Sequence, residues 1–277
     1  MNVNKVDKTN FTSRPVNAGD LAELKAAIKK GQAFLYDVDT TIGFMHPNVT
    51  RPDGTRDGLY VPKAEAVISA MAKIKQFTKG IIAKFETVDA HKKGDPELQW
   101  FAGEPFNSDI HSEKGTLGGT KISETVFGEP NALIEVEPEK NDVPSVSKIQ
   151  EILASKGIIR LEKNENDSLK YGIPFTNQVV PNKKGLAFFE NLKKAGAKVA
   201  LVYGVATDYC VKDAVAALKK FGIKPIVIED AIKEFGQDST KIADDAVYHD
   251  VAIMTTEQLG KVLNKVQTAE SALKVIK

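Results

Sequence analysis

The sequence predicts an α/β fold: a mostly parallel sheet with helices on both faces. Two observations carry that expectation. Short apolar, β-prone runs alternate with helix-length amphipathic stretches over most of the chain. Several of those runs, such as residues 33–38 and 197–203, are apolar nearly throughout, as strands covered on both faces are.

Taken in order, residues 1–14 read as an arm. Residues 20–30 have helical spacing through Leu21, Leu24 and Ile28, with Asp20 or the residue before it as cap and Gly31 as stop. The arm and this helix make an N-terminal extension over 1–32, and 33–277 reads as a single domain. Residues 33–38 form a strand with Asp37 at its C-terminal end. Residues 46–58 are rich in Pro, Gly, Asn and Asp and form a loop. Pro62 opens a helix to about residue 77, with Ala64, Val67, Ile68, Met71 and Ile74 on one face. Residues 80–85 are a strand, and Asp89 and His91 lie just beyond it. Residues 92–119 are a long irregular segment holding Trp100, Glu104 and His111, and loops of this length are usually functional.

Residues 133–137 form a strand or an edge ribbon, 145–155 a helix, and 157–163 a strand ending near Lys163. A helix over 184–195 is closed by Gly196. A strand over 197–203 then leads through Gly204 to a helix over 211–221. Residues 224–229 are a strand with Asp230 at its end, 239–248 a helix, 251–254 a strand and 256–273 a final helix. In such sheets ligands bind beyond the carboxyl ends of the strands. Asp37, Asp89 with His91, Lys163 and Cys210 all fall at or just after such ends.

Composition removes several functions. Lys+Arg 38 against Asp+Glu 37 leaves no basic field for nucleic acid. No apolar run approaches a membrane span, and residues 1–20 lack the apolar core of a secretion signal. A single cysteine forms no internal disulfide and suits a reducing, cytoplasmic location. Composition leaves homo-oligomerisation open. That cysteine, Cys210, sits on a strand-to-helix turn, where unpaired N–H groups and the helix dipole favour a thiolate. Asp89, His91 and His111 supply two imidazoles and a carboxylate, an open first-row metal set.

These motifs resemble those of the isochorismatase-like cysteine hydrolases, and among them the nicotinamidases. Gly204-Val205-Ala206-Thr207-Asp208-Tyr209-Cys210-Val211 is similar to the family's cysteine motif. Asp89-Ala90-His91 with His111-Ser112-Glu113-Lys114-Gly115-Thr116-Leu117-Gly118 is similar to its metal pattern. Asp37-Val38-Asp39 resembles its Asp-x-Gln, with Asp39 in place of Gln. The resemblance runs from about residue 34 to residue 254. It implies a three-layer αβα, Rossmann-like fold and hydrolysis of nicotinamide to nicotinate and ammonia, with pyrazinamide as a second substrate.

By the same resemblance Cys210 is the nucleophile, Asp37 the proton carrier and Lys163 the charge that holds Asp37 ionised. The N–H groups of Ala206 and Cys210 would form an oxyanion hole, beside a cis peptide at Val205–Ala206. Asp89, His91 and His111 would hold one divalent ion, zinc before iron or manganese, with Glu104 as a fourth protein ligand. Phe44, Trp100 and Tyr209 would wall the aromatic ring. A runner-up reading keeps the fold and the cysteine and changes the substrate to another small amide or a ureido compound.

Overall fold

Strand and helix alternate along the chain as the apolar runs predict. The computed structural model describes residues 14–98, 100–101, 104–105, 111–135, 143–176, 178–236 and 245–275. In chain order the strands are β1 (Arg14–Pro15), β2 (Ala33–Val38), β3 (Ala83–Asp89), β4 (Trp100–Phe101), β5 (Glu104–Pro105), β6 (Ala132–Ile134), β7 (Ile158–Lys163), β8 (Lys170–Gly172), β9 (Val179–Pro181), β10 (Val199–Val205), β11 (Lys224–Lys233) and β12 (Ala252–Met254). The helices are α1 (Ala18–Lys29), α2 (Ile42–Met45), α3 (Ile68–Thr78), α4 (Val146–Ser155), α5 (Lys183–Lys194), α6 (Cys210–Lys220) and α7 (Thr256–Val275).

Eight strands form one sheet in the order β1-β12-β11-β10-β2-β3-β7-β6, and every pairing in it is parallel. Strand pleating sends alternate residues to opposite faces. Phe34, Tyr36 and Val38 of β2 thus join one core with α4, α5 and α6. Ala33 and Leu35 join the other, with α1, α3 and α7. The result is three layers, helix on sheet on helix. Strand order reverses between β2 and β10. Ligands bind at such switch points in open α/β sheets, in the crevice beyond the strand ends.

Local differences from the sequence reading have local causes. Asn17, not Asp20, caps α1; its side chain accepts the Asp20 N–H while the Asp20 carboxylate accepts the Asn17 N–H. α1 packs Leu24, Ala27 and Ile28 into the shared core, and β1 pairs with β12. The helix expected from Pro62 is a 3₁₀ turn over Ala64–Val67 followed by α3. β3 runs on to Asp89, so Asp89 ends a strand that was expected to stop at residue 85. Strands β8 and β9 form an antiparallel hairpin that the sequence reading does not contain. Of the helix expected over 239–248, residues 239–244 lie outside the described residues and 245–248 form a turn. No helix among the described residues is long and apolar enough to cross a membrane.

Candidate active site

Neighbouring parallel strands bring their C-terminal ends together, and four of these ends build the site. β10 approaches β2 closely through Gly204, whose φ of +127° and 2.0 Å from a notional Cβ to the Val38 carbonyl exclude any side chain. The peptide Val205–Ala206 that follows is cis. Tyr209 stands at the N-cap of α6 and Cys210 is its first residue. β3 and β7 pair in the register Asp89↔Lys163, which sets these two residues side by side.

Lys163 is the hub. Its ammonium is 2.8 Å from the Asp39 carboxylate, contacts the Asp89 carboxylate, and lies 3.6 Å from the Cys210 sulfur. All four side chains are buried. Burial works against the Lys163 charge, but Asp39, Asp89 and Cys210 outweigh it and hold the ammonium well above its ordinary range. Burial lifts the Asp39 carboxyl above its ordinary value, against the pull of Lys163. Burial likewise lifts the Cys210 thiol well up, again opposed by Lys163. The thiol and a carboxylate of raised basicity thus share one ammonium neighbour.

Asp37, the acid expected beside Cys210, is elsewhere. It contacts Lys84 at 2.7 Å, Lys121 at 3.1 Å and the Thr40 hydroxyl at 2.7 Å. The cause is the pleat. Asp37 shares its face of β2 with Ala33 and Leu35, whereas Cys210 packs in the opposite layer with Tyr36 and Val38. Asp39 lies one residue past the strand, where a φ of +49° turns the chain.

Next to this hub is a candidate metal centre. One ligand atom from each of Asp89, His91, Glu97 and His111 lies within 4.8 Å of the others, and all four residues are buried. The His91 and His111 rings are 4.6 Å apart. Asp89 Oδ2, His91 Nε2 and Glu97 Oε2 are buried with no hydrogen-bond partner among the described residues. Such orphaned atoms are costly unless something polar meets them. Burial draws His91 down, but Asp89 and Asp95 more than offset it and push it up to about 10. Burial, aided by His91, takes His111 down to about 3, and burial takes Glu97 up to about 8. Two imidazoles and two carboxylates converging this way fit a divalent first-row ion.

Glu97 belongs to the cluster and was not among the expected ligands. Pro96–Leu98 form a 3₁₀ turn that places Glu97 in the cluster. Glu104 belongs to the β4–β5 ribbon, paired through its backbone with Phe101, and its side chain lies outside the described residues. The loop carrying His111 is anchored by Asp57, which accepts from Thr116 Oγ1 at 2.9 Å and Gly118 N at 2.8 Å.

The family model for the isochorismatase domain matches residues 173–258. Comparison with curated proteins by sequence gives no match. Among solved structures, an isochorismatase-like hydrolase from Alkaliphilus metalliredigens is 16% identical, with a TM-score of 0.52 over 83% of this chain and 98% of that one. PnC1 from L. infantum in complex with nicotinate is 14% identical, with a TM-score of 0.54 over 82% and 94%. The pyrazinamidase of Pyrococcus horikoshii in complex with zinc is 17% identical, with a TM-score of 0.50 over 81% and 99%.

This chain has the isochorismatase-like hydrolase fold.

In this chain a pocket stands over Cys210, and Phe44, Tyr209, Phe235, Glu97, Ala206 and Asn166 are among its lining. Of the three aromatics expected to wall a ring, Phe44 and Tyr209 line this pocket, and the side chain of Trp100 lies outside the described residues. Phe235 is a wall the sequence reading missed. Asp208 holds it by accepting the Phe235 N–H at 2.8 Å, and its ring meets Tyr209 edge-on. Asn166 was also missed, and its Oδ1 is 3.5 Å from the Cys210 sulfur. No local pattern marks either residue. Asp39 did carry a signal: an acid just past a strand end, where parallel sheets bind ligands.

Proposed function

We propose that this chain is a metal-assisted cysteine amidohydrolase that converts nicotinamide to nicotinate and ammonia, and accepts pyrazinamide. One observation carries the reading: the Asp39–Lys163–Cys210 cluster and the Asp89/His91/Glu97/His111 set share Asp89's contact with Lys163. On this reading the nucleophile and the ring-nitrogen site would lie side by side, with Cys210 and Glu97 both lining one pocket. The nicotinate-bound and zinc-bound proteins of the same fold support it.

The steps follow from the chain's own residues. Asp39 takes the proton from the Cys210 thiol, and Lys163 stabilises the thiolate as the sulfur attacks the carboxamide carbon. The N–H groups of Ala206 and Cys210 would receive the developing oxyanion. Asp39 then passes its proton to the departing ammonia, and a thioester remains on Cys210. Asp39 next draws a proton from an attacking water and returns it to sulfur as the C–S bond breaks, and the acid product loses its remaining proton to solvent and leaves as the carboxylate. Asp89, His91, Glu97 and His111 would hold the divalent ion, whose chemistry there is Lewis-acid binding of the ring nitrogen, not water activation. Phe44, Tyr209 and Phe235 would stack around the ring.

The test is kcat/KM for nicotinamide, pyrazinamide, benzamide and picolinamide under one set of conditions. Nicotinamide and pyrazinamide are expected to be cleaved. Benzamide lacks the ring nitrogen and picolinamide misplaces it, so both should fall, benzamide by ~10⁴-fold. Equal cleavage of benzamide removes the ring-nitrogen contact from the reading. Cleavage of an aliphatic amide or ureido compound alone keeps the amidohydrolase and overturns nicotinamide.

A further inference from the structure

Beside Asp39 lies a buried ion network that the reaction above does not use. The Asp37 carboxylate is bracketed by Lys84 and Lys121, Lys84 reaches Glu86 at 2.5 Å, and Glu86 holds Arg160 at 2.6 Å. Lys84 and Asp37 are almost completely inaccessible to solvent. Buried ion networks are often no more stable than apolar replacements of the same volume, so stability alone does not account for one.

What this network grips is the turn that carries Asp39. Thr40 Oγ1 donates to Asp37 Oδ1 at 2.7 Å and meets Thr125 Oγ1 at 2.8 Å. Lys84 donates to the Thr125 carbonyl. The Thr40 carbonyl accepts the Ile122 N–H at 3.0 Å, and the Thr41 N–H donates to the Asp39 carbonyl at 2.8 Å. Asp39 N and Lys121 Nζ both donate to the Thr87 carbonyl, each at 3.3 Å. Between these anchors Asp39 adopts a φ of +49°, a conformation that a residue other than glycine holds when its surroundings impose it.

We infer that Thr40 is a positioning residue: its hydroxyl couples the Asp37–Lys84–Lys121 network to the turn that aims Asp39 at Lys163 and Cys210. Thr40 is not among the residues lining the Cys210 pocket. The role of Asp39 in this inference rests on the amidohydrolase reading.

Thr40→Val keeps the side-chain shape and removes the hydroxyl; Thr40→Ser keeps the hydroxyl. Misplacing a reacting group slightly is costly in rate. Thr40→Val should therefore lower kcat on nicotinamide by about tenfold or more, with KM within about twofold. Thr40→Ser should stay within about threefold of wild type. A wild-type kcat for Thr40→Val, or an equal fall in both variants, overturns the inference. Thr40→Ala serves the same comparison where Thr40→Val does not fold.

A second readout needs no substrate: the rate at which iodoacetamide alkylates Cys210 in the full chain. Thr40→Val should shift that rate by about threefold or more, in the same direction as Asp39→Asn, and Thr40→Ser should return it. Alkylation of Thr40→Val at the wild-type rate overturns the inference. If wild type cleaves no amide while this alkylation pattern holds, the amidohydrolase reading fails and the positioning role of Thr40 stands.

Discussion

The Asp39 carboxylate lies 2.8 Å from the Lys163 ammonium, and the Cys210 sulfur lies 3.6 Å from that same nitrogen. In the proposed mechanism one cation would balance both partners of the proton transfer. As the proton moves from sulfur to carboxylate, the negative charge passes the opposite way, from the Asp39 carboxylate to the Cys210 sulfur, and both are neighbours of Lys163. Little net rearrangement of charge is needed around a fixed ammonium.

Two acids two residues apart should therefore fail in different ways. Asp39→Asn should lose kcat by ~10²- to 10⁴-fold and keep its unfolding midpoint. Asp37→Asn should leave Lys84 and Lys121 short of a buried counter-charge and cost about 3–5 kcal/mol of stability. Denaturant melts and steady-state rates on both variants separate the roles. The opposite pattern would return the proton-carrying role to Asp37.

Cys210→Ala should abolish turnover with the fold retained, as read by circular dichroism. The resting thiol is another matter. The helix start and Lys163 favour a thiolate, but burial outweighs them and pushes the thiol well above its ordinary range. Iodoacetamide should therefore label Cys210 more slowly than a free thiol at neutral pH, and faster as pH rises. Rapid, pH-independent labelling at neutrality would contradict that.

Activity should fall on acidification earlier than an ordinary carboxylate would dictate. Asp39 must be ionised to take the thiol proton, and burial raises its carboxyl above 3.8. The acid limb of kcat/KM should consequently lie above that value, because protonation removes the base. A limb at or below the ordinary carboxylate range would argue for a different base.

Elemental analysis should find about one first-row divalent ion per chain, zinc first among zinc, iron and manganese. Glu97→Gln and His91→Ala should each lower occupancy, by roughly 10-fold or more in affinity. Chelation should remove both the ion and turnover. Full activity in protein shown to be metal-free would take the ion out of the mechanism.

Much of this site is legible along the chain. An apolar run ending at Gly204 followed by an amphipathic stretch places Cys210 at a strand-to-helix turn, because period and turn residues are local properties. The Asp89-Ala90-His91 spacing and the strand ending at Lys163 are local too. The Asp89↔Lys163 register then follows from pairing two parallel strands whose apolar runs must match.

Tertiary structure alone decided which acids face the cysteine and the metal centre. Asp37 and Asp39 are equivalent by composition. The packing of β2 between two cores assigns Asp37 to one face, and the bonds of Asp39 to Thr87 and of Thr40 to Ile122 and Asp37 hold the turn that directs Asp39 towards Lys163. Glu97 joins the metal cluster for a similar reason. Asp95 accepts the Lys92 N–H at 2.8 Å, folds the chain back after His91 and delivers Glu97 to the cluster. Sequence periodicity specifies which side of an element a residue occupies. Where the chain leaves its elements, as at Asp39 and Glu97, direction is set by partners distant in sequence, and no local pattern encodes them.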